Sequence, residues 1–498
     1  MGLKSKLSIL FAKRIVSQQK KWIDHPLETV KSDFEKLIAK GKNTAFGKDH
    51  HFDSISNYDD FKERVPIRDY EGLKPYIERI INGEKDVLWP GSPIYMCKTS
   101  GTTSGTKYIP LTKDSMPNHI NSARNALLHY IVDSGNSSFV DGKMIFLQGS
   151  PLLNKKGIIP TGRLSGIVAN YVPKYLQKNR MPSFETNCIE DWEVKVDRIV
   201  EETRNEDMRL ISGIPSWVQM YFDKLLKRSE KSTVNELFPN FSLFVYGGVN
   251  FEPYREHFEE LIGKKIDSIE LYPASEGFIA YQDKQKEKGL LLVLNSGIFY
   301  EFIVADSFYD ADPVRISLED VQLNVNYVLI INNNAGLWGY NIGDTVMFVS
   351  LAPYRIIVSG RIKHFISSFG EHVIGKEVEY AMTNAIEQFG GKITEFTVAP
   401  EVRPKSGLPY HEWFIEFAKE PNDISAFKHA LDLELQKQNT YYYDLIQGNV
   451  LQELVISKIK KDGFNSYMKS IGKLGGQNKI PRLSNDRKIA DELLKWKD

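Results

Sequence analysis

A ten-residue run rich in glycine and hydroxyl side chains, 98–107, constrains this chain more than any other feature. It holds six serine or threonine residues and two glycines between two terminal lysines. Apolar residues precede it (94–96) and follow it (108–111), so the pattern predicts two strands joined by a loop. Glycine permits positive φ, which lets several backbone N–H groups point into the loop, while hydroxyls and lysine add donors and charge. The loop therefore suits a polyphosphate; a flexible polar turn, which the same residues favour, is the alternative.

The run differs from the Walker-type phosphate loop, which needs four residues between its glycines and then Gly-Lys-Ser/Thr. Here three residues separate Gly101 from Gly105, Thr106 precedes Lys107, and Tyr108 follows it. No strand-to-helix context surrounds the run. The sequence therefore disfavours kinases and motor ATPases that are built on the Walker-type fold.

Composition bounds the class of protein. A chain of 498 residues predicts two or three domains, and 42% hydrophobic with 26% charged residues is ordinary for a soluble globular protein. The 64 basic and 64 acidic residues balance, which gives no support for general nucleic-acid binding. Two cysteines, Cys97 and Cys188, are too few for a disulfide framework or a zinc site, so we expect a reducing, cytoplasmic location. We expect no membrane span, because no apolar run is long enough.

The first 24 residues are basic with scattered apolar positions, including Leu7 and Phe11. Lys13 and Arg14 interrupt any signal-peptide core. An amphipathic helix lying on a membrane is one interpretation. Docking of that helix on the protein's own surface is the one we favour.

The order of patterns along the chain predicts its architecture. Residues 1–90 are mostly helical, and a helix to about Val132 is expected to start at Asp114 or Ser115 as its cap. Strand, glycine turn, helix and strand alternate from 143 to 272, which argues for an open α/β sheet with ligands at the carboxyl ends of its strands. Five short β runs follow up to residue 358, and a compact α+β unit comes after residue 360.

Three further segments also place a charged residue beside a glycine. In 272–277, Glu276 stands at a strand end beside a glycine and could hold magnesium; a capping turn with a solvated glutamate is the alternative. In 339–344, Asp344 could accept hydrogen bonds from a ribose diol, or be an ordinary β-turn aspartate. Arg361 lies where the character of the chain changes and could equally be a linker cation.

The order and spacing of these motifs resemble the Gretchen Hagen 3 family of acyl-acid amido synthetases, the auxin-responsive promoter group, within the acyl-adenylate-forming superfamily. Residues 99–107 look like the family's first nucleotide motif, 272–278 like its second and 339–344 like its third. Residues 299–303, Phe-Tyr-Glu-Phe-Ile, match a signature that is largely confined to this family. The likeness covers about residues 30–485.

Two departures from the family pattern stand out. Relatives commonly carry arginine in the third motif where this chain has Asn341. The segment 362–374 is more similar to bacterial adenylating enzymes than to plant members, which carry a lysine near the position of His372. The resemblance therefore does not identify the substrate.

The resemblance implies an α/β fold with a large N-terminal adenylating domain, 1–360, and a smaller mobile α+β C-terminal domain, 361–498. The N-terminal domain would combine α/β sheets with a β-rich, barrel-like part. It further implies ATP and Mg²⁺ as cofactors, and a small carboxylic acid and an amino acid as substrates. The acid is adenylated with release of pyrophosphate, and the amine then attacks the acyl-adenylate. A monomer is the default.

The resemblance also assigns roles to matching positions. Phosphate contacts fall on Thr99, Ser100, Gly101, Thr102, Thr103 and Lys107. The adenine slot falls on Gly247, Gly248, Val249, Tyr272 and Ala274; Ser275 lies near the α-phosphate, Glu276 holds magnesium, and Asp344 and Arg361 bind the ribose. Lys479 matches the C-terminal catalytic lysine, and Lys363 marks the hinge. The acyl pocket is expected around Arg124, Ser165, Ile167 and Val168.

Three other functions compete with this one. An acyl-CoA synthetase shares the first half-reaction and differs in its acceptor, coenzyme A. A nucleotide-binding regulator without catalysis is opposed by the presence of Lys107, Glu276 and Lys479. A membrane-surface scaffold would depend only on the first helix.

Overall fold

The computed structural model describes residues 2–100, 106–171, 177–189, 191–248, 251–252, 255–362, 365–366, 368, 371, 373–447, 450–475 and 478–498. The chain forms two compact units. The first contains 1–213, 240–248 and 266–357, and the second contains 214–239, 249–265 and 358–498. Two segments that precede residue 360 thus group with the C-terminal part, and the division at residue 360 stays a prediction.

Within its described residues, the first unit combines nine α-helices with fifteen strands. The helices are α1 (Leu3–Asp24), α2 (Pro26–Gly41), α3 (Ala45–Asp49), α4 (Tyr58–Arg64), α5 (Tyr70–Ile81), α6 (Met116–Ser134), α7 (Leu164–Ala169), α8 (Phe184–Cys188) and α9 (Trp192–Thr203). The strands are β1 (Tyr95–Ser100), β2 (Thr106–Leu111), β3 (Lys143–Phe146), β4 (Asn154–Lys156), β5 (Ile159–Gly162), β6 (Arg180–Met181), β7 (Met208–Ser212), β8 (Leu243–Gly247), β9 (Asp267–Ala274), β10 (Gly277–Tyr281), β11 (Leu290–Leu292), β12 (Ile298–Val304), β13 (Asn326–Asn333), β14 (Tyr340–Leu351) and β15 (Tyr354–Arg361), whose last residues enter the second unit.

The described part of the second unit has eight helices and five strands. The helices are α10 (Pro215–Ser229), α11 (Val234–Leu237), α12 (Arg255–Ile262), α13 (Gly375–Phe389), α14 (Ile424–Gln438), α15 (Thr440–Gln447), α16 (Gly463–Ser470) and α17 (Lys488–Leu493). The strands are β16 (Phe365–Ile366), β17 (Val373–Ile374), β18 (Lys392–Glu401), β19 (Tyr410–Lys419) and β20 (Val455–Ile459).

Among the described residues, eleven strands form one sheet in the order β12-β13-β14-β15-β11-β10-β9-β8-β7-β3-β6. The β6-β3-β7-β8-β9 side is parallel, and β9, β10, β11 and β15 pair antiparallel, as do β12, β13 and β14. Parallel strands need crossover connections, which explains the strand–helix alternation in this part of the sequence. The predicted α/β class is confirmed.

Strand β12 contains the family signature, and its glutamate is structural. Six of its seven residues are buried, which fits the near-continuous apolar sequence of a strand that is covered on both faces. Glu301, fully buried, accepts hydrogen bonds from Arg315, from Tyr58 Oη at 3.0 Å and from Asn332 Nδ2 at 2.8 Å. The signature therefore joins α4 to the sheet through a buried ion pair.

Helix α1 docks on its own unit, which confirms the interpretation that we favoured. Gln19 is buried, and its Oε1 lies 2.9 Å from both Tyr281 Oη and His129 Nε2. At the other end of the helix, Ser5 Oγ donates to the Ser137 carbonyl at 3.0 Å. Buried polar contacts of this kind fix the orientation of the helix, because each buried group needs its partner.

Helix α6 begins where the sequence predicts but not for the predicted reason. It starts at Met116 with Ser115 at the N-cap, yet Ser115 makes no side-chain cap bond. Its hydroxyl instead accepts from the Thr112 N–H, and Thr112 Oγ1 accepts in return from the Ser115 N–H. Asp114 accepts from Lys40 and Trp89, so the capping role expected of these two residues was wrong.

The second unit has its own core. Strands β18, β19 and β20 form a sheet, antiparallel then parallel, and helices α13 and α14 contribute to one apolar cluster with it. Its centre includes Met382, Phe396, Trp413 and Leu431. Such a core is the mark of a separately packed α+β body. Within the described ranges, no helix of either unit is long and apolar enough to cross a bilayer.

Candidate functional site

The predicted phosphate hairpin is present. β1 and β2 pair antiparallel, with Ser100 opposite Thr106 and Thr99 opposite Lys107. The loop residues Gly101, Thr102 and Thr103 lie outside the described residues. The register nevertheless places the closing lysine directly across from the first hydroxyl of the motif.

Helix α5 supports this hairpin from one side. Tyr70 Oη accepts a hydrogen bond from the Tyr108 N–H at 3.0 Å, and Lys107 Nζ lies 5.7 Å from the centre of the Tyr70 ring. A cation over a tyrosine face is held by the ring quadrupole. Tyr70 thus positions both the strand and the side chain of the lysine.

The second motif forms a tight hairpin. Ala274 at the end of β9 pairs with Gly277 at the start of β10, which leaves Ser275 and Glu276 as its two-residue tip. Asn118 of α6 makes two hydrogen bonds to Phe278, the residue after Gly277. Its Nδ2 donates to the Phe278 carbonyl at 3.1 Å, and its Oδ1 accepts from the Phe278 N–H at 2.6 Å.

Asn333 of β13 fixes the other side of the tip. Its Nδ2 donates to the Glu276 carbonyl at 2.6 Å. Its Oδ1 accepts from the N–H groups of Ala335 and Leu337, both at 3.0 Å. The main chain is therefore anchored at Glu276 and at Phe278, which is the condition for a side chain that must meet a ligand in one place.

Cys97 joins the first motif to the second. Its Sγ lies 3.2 Å from Ser275 Oγ, although 178 residues separate them. Burial raises the pKa of the Cys97 thiol to about 12, so the group stays protonated and donates weakly to the serine. We therefore assign Cys97 a positioning role and exclude a nucleophilic one.

The glycines after β8 allow close backbone approach. Gly247 pairs with Leu271 on the neighbouring parallel strand, and a Cβ at Gly247 would come within 2.4 Å of the Leu271 carbonyl oxygen. Gly248 has φ of 79°, which L side chains rarely adopt. Gly247 stands beside the strand that carries Tyr272 and Ala274. The adenine-slot role of these residues stays a prediction, and Val249 lies outside the described residues.

Asp344 is brought to Tyr272 by a β-bulge. Ile330 pairs with Asn341 and Val328 with Thr345, so three residues of β14 stand opposite one of β13. A bulge of this kind re-aims side chains, and the Asp344 carboxylate accepts from Tyr272 Oη at 2.6 Å. The sequence pattern predicts Asp344 between Gly343 and a strand that starts at Thr345, and this was wrong, because Asp344 lies inside β14.

Asn341, the departure from the family pattern, stabilises this bulge. Its Oδ1 accepts from the Gly343 N–H at 2.8 Å, and Gly343 has φ of 85°. Asparagine closes such a local turn with its own side chain, which arginine does not do.

The remaining predicted nucleotide residues lie in the second unit. Arg361 is exposed and ends β15, so it belongs to a strand and not to a linker. Lys479 is exposed in the segment between α16 and α17. Lys363 lies outside the described residues. The ribose and catalytic roles of Arg361 and Lys479 stay predictions.

Lys479 lines a cavity of about 560 Å³ that lies within the second unit. Trp217, Met220 and Phe464 give the cavity an apolar wall, and Glu416 is among its polar lining groups. The size is within the usual range of small-molecule sites. Glu416 is 2% exposed and accepts from the N–H groups that begin α16, Asp462 at 2.8 Å and Phe464 at 3.2 Å.

Burial raises the pKa of Glu416 to about 7, and the two backbone donors only partly oppose the shift. The folded state therefore binds a proton between about pH 4.5 and pH 7 that the unfolded state has released. Stability that this group contributes at low pH is lost as the pH rises to 7, by on the order of 2–3 kcal/mol. Glu416→Gln removes the titrating group, keeps one of the two acceptor oxygens and should flatten this part of the stability curve.

Urea unfolding of wild type and Glu416→Gln at pH 5 and pH 7.5 measures the difference. We expect the free energy of unfolding of the variant to rise relative to that of the wild type between pH 5 and pH 7.5. Parallel stability curves would show that the carboxyl does not titrate in this range.

The residues that are expected to line the acyl pocket lie on two different helices. Ser165, Ile167 and Val168 lie on α7, where Ser165 Oγ accepts from the Gly149 N–H at 3.3 Å and Ile167 is fully buried. Arg124 is exposed on α6 and donates to Asn125 Oδ1. Their substrate roles stay predictions.

Sequence reasoning missed Cys97, Asn118 and Asn333. Asn118 and Asn333 contact the second motif from 160 and 57 residues away along the chain. No local pattern indicates such contacts. The only available signal was that Cys97 directly precedes the first motif.

The fold is similar to those of two solved ligases. The structure superposes on AtGH3.15 acyl acid amido synthetase in complex with 2,4-DB with a TM-score of 0.80 and 16% identity, covering 98% of this chain and 96% of that one. It superposes on a 2-hydroxyisobutyryl-CoA ligase with a TM-score of 0.62 and 11% identity, covering 94% and 90%.

The chain belongs to the GH3 family. The family's N-terminal domain matches 16–188, its central domain 291–361 and its C-terminal domain 376–488. Jasmonoyl–L-amino acid synthetase JAR4 of Nicotiana attenuata is 23% identical over 385 aligned positions, which cover 63% of this chain and 65% of JAR4, less than two thirds of its length. Indole-3-acetic acid-amido synthetase GH3.3 of Arabidopsis thaliana is 21% identical over 539 positions, covering 91% and 88%.

Proposed function

We propose that this protein is an ATP-dependent acyl-acid amido synthetase. One observation carries the proposal. Cys97 donates a hydrogen bond to Ser275, and Tyr272 donates one to Asp344, so three motifs that are far apart in the sequence meet in one unit. The names of the family relatives, amido synthetases that conjugate acids to amino acids, supply the chemistry.

In the first half-reaction a carboxylate oxygen of the acid attacks the α-phosphorus of ATP, and the bond to the pyrophosphate leaving group breaks. Lys107 and the hydroxyls of Thr99 and Ser100 neutralise the departing phosphates. Asp344, oriented by Tyr272, accepts from the ribose hydroxyls. Preorganised donors of this kind supply most of the stabilisation of the charge that develops in the transition state.

A magnesium ion, when bound with the nucleotide, would neutralise charge on the phosphates. The chain fits such an ion at Glu276, because this partly exposed carboxylate stands on a tip whose main chain Asn333 and Asn118 anchor. One carboxylate is sufficient, because magnesium typically keeps several waters and binds phosphate oxygens as well.

In the second half-reaction the amine nitrogen attacks the acyl carbon, the bond to AMP breaks, and the ammonium proton passes to solvent. An amino acid is the acceptor that the relatives' names indicate. The reaction takes place in the cytoplasm in this proposal, and the enzyme is a monomer, which size-exclusion chromatography tests.

A thioester-forming ligase is the second candidate, since a CoA ligase shares the fold. The adenylating half-reaction is common to both, and the acceptor separates them. The signature strand with Glu301 favours the amide former, because it is the sequence feature confined largely to the GH3 family.

Pyrophosphate release from ATP and magnesium is the test. Indole-3-acetic acid, jasmonic acid, 2,4-DB and a panel of other aromatic and aliphatic acids are each assayed alone, with pooled amino acids and with coenzyme A. We expect acid-dependent release that amino acids stimulate, with an amide detected by mass spectrometry. Stimulation by coenzyme A alone would assign the thioester class, and ATP binding without turnover on any acid would contradict both.

A further inference from the structure

Helix α1 has two faces with different chemistry. The docked face carries Ser5, Ala12, Gln19 and Trp22, all buried. At 3.6 residues per turn, Leu3 lies nine residues from Ala12 and therefore points in about the opposite direction. The outer face of this helix is consequently available to solvent along its length.

That outer face carries an apolar ridge, which we define as Leu3, Leu7, Leu10 and Phe11. Their spacing of four, three and one residues puts them on one stripe of the helix. They are 76%, 58%, 67% and 47% exposed. Single exposed apolar residues are common on soluble proteins, but four on successive turns of one helix form a contiguous patch.

Positive charge surrounds the ridge. All the lysines and arginines of α1 are exposed: Lys4, Lys6, Lys13, Arg14, Lys20 and Lys21. Asp24 is the single acidic residue of the helix. The whole chain has 64 basic and 64 acidic residues, so this helix is a local excess of positive charge on a neutral protein.

We propose that the outer face of α1 binds the surface of a membrane that contains anionic lipids. The ridge enters the boundary between headgroups and acyl chains, while the lysines and Arg14 contact the headgroup phosphates and carboxylates. A helix that combines an apolar stripe with a basic flank lies in this interface. Each basic residue near an anionic leaflet adds to the attraction, which salt screens.

Charge argues against a second copy of the chain as the occupant. Two copies that met through the ridge would bring the exposed basic residues of both helices, among them Lys4, Lys6, Lys13 and Arg14, into one contact region. Like charges at such short distances repel, and desolvation at the contact would strengthen the repulsion. An anionic surface instead attracts these basic side chains.

Co-sedimentation with vesicles tests the proposal. The full chain is mixed with vesicles of phosphatidylcholine alone or with about 30% phosphatidylserine. We expect about tenfold stronger binding to the anionic vesicles at low salt, and loss of most of this binding in 0.5 M NaCl. The variant Leu7→Glu with Leu10→Glu should bind about tenfold more weakly than wild type.

Leu433→Glu is the matched control, because Leu433 is also an exposed leucine on a helix, in the second unit. It should bind vesicles like wild type, and all variants should keep the far-ultraviolet circular dichroism of the wild type. Equal sedimentation of the double variant and the wild type would overturn the proposal. Self-association that the double variant abolishes, without vesicle binding, would also overturn it and assign a second copy to this face.

Discussion

Replacing Lys479 by alanine is expected to lower acid-dependent ATP–pyrophosphate exchange by about 10²–10³-fold. We propose that Lys479, which matches the C-terminal catalytic lysine that the resemblance implies, supplies positive charge where the reacting carboxylate and the α-phosphate develop negative charge. A group that acts in the transition state changes the rate of exchange far more than the affinity for the nucleotide. Nucleotide affinity, measured by calorimetry, should therefore change little.

Lys473→Ala is the matched control, since Lys473 is exposed in the same segment of the second unit. It should retain exchange within about twofold of wild type, as expected for a residue away from the reacting atoms. A Lys479→Ala variant that loses nucleotide binding as severely as exchange would contradict the catalytic assignment. Such a result would leave Lys479 as a binding residue.

Replacing Arg315 by methionine is expected to destabilise the first unit by about 3–5 kcal/mol. The ion pair with Glu301 is nearly dry, with side chains that are 8% and 0% exposed. Removing the arginine leaves the Glu301 carboxylate buried without its cation, with the hydrogen bonds from Tyr58 and Asn332 still in place. An uncompensated buried charge is far more costly than the loss of the pair as a whole.

Urea unfolding at pH 7 measures this loss, and the double variant Arg315→Met with Glu301→Gln is the control. The double variant removes both charges and should recover at least half of the stability. Equal destabilisation of both variants would show that packing, and not charge, is what Arg315 contributes.

Local patterns in the sequence were enough to predict most elements. The sequence predicts helices over Tyr58–Arg64 and Tyr70–Ile81 and a strand over Ile298–Val304, and α4, α5 and β12 have these bounds. Cap residues, apolar spacing and glycine or proline stops act within a few residues, so such elements can be predicted locally. The hairpin around 98–107 follows for the same reason. The α/β class followed from the order of the elements, since parallel strands require the helices between them.

Local patterns could not predict how the motifs come together. The bonds from Cys97 to Ser275 and from Tyr272 to Asp344 span 178 and 72 residues, and no local pattern fixes them. The bulge that re-aims Asp344 arises from a mismatch between two strands, so neither strand alone indicates it. Ser115 makes no side-chain cap bond because its hydroxyl pairs with Thr112, three residues earlier; this partner is local, and the sequence reasoning overlooked it.

The sequence by itself determined the class of fold, the bounds of most elements and, through the resemblance, which residues are candidates for chemistry. Only the tertiary structure decided which of them come together, which asparagines hold them, and which face of α1 stays exposed. The physical reason is the distance along the chain over which each effect acts. Hydrophobic periodicity and turn chemistry act over a few residues. Contacts such as Asn118 with Phe278 depend on how distant elements pack, and that is set by the whole core at once.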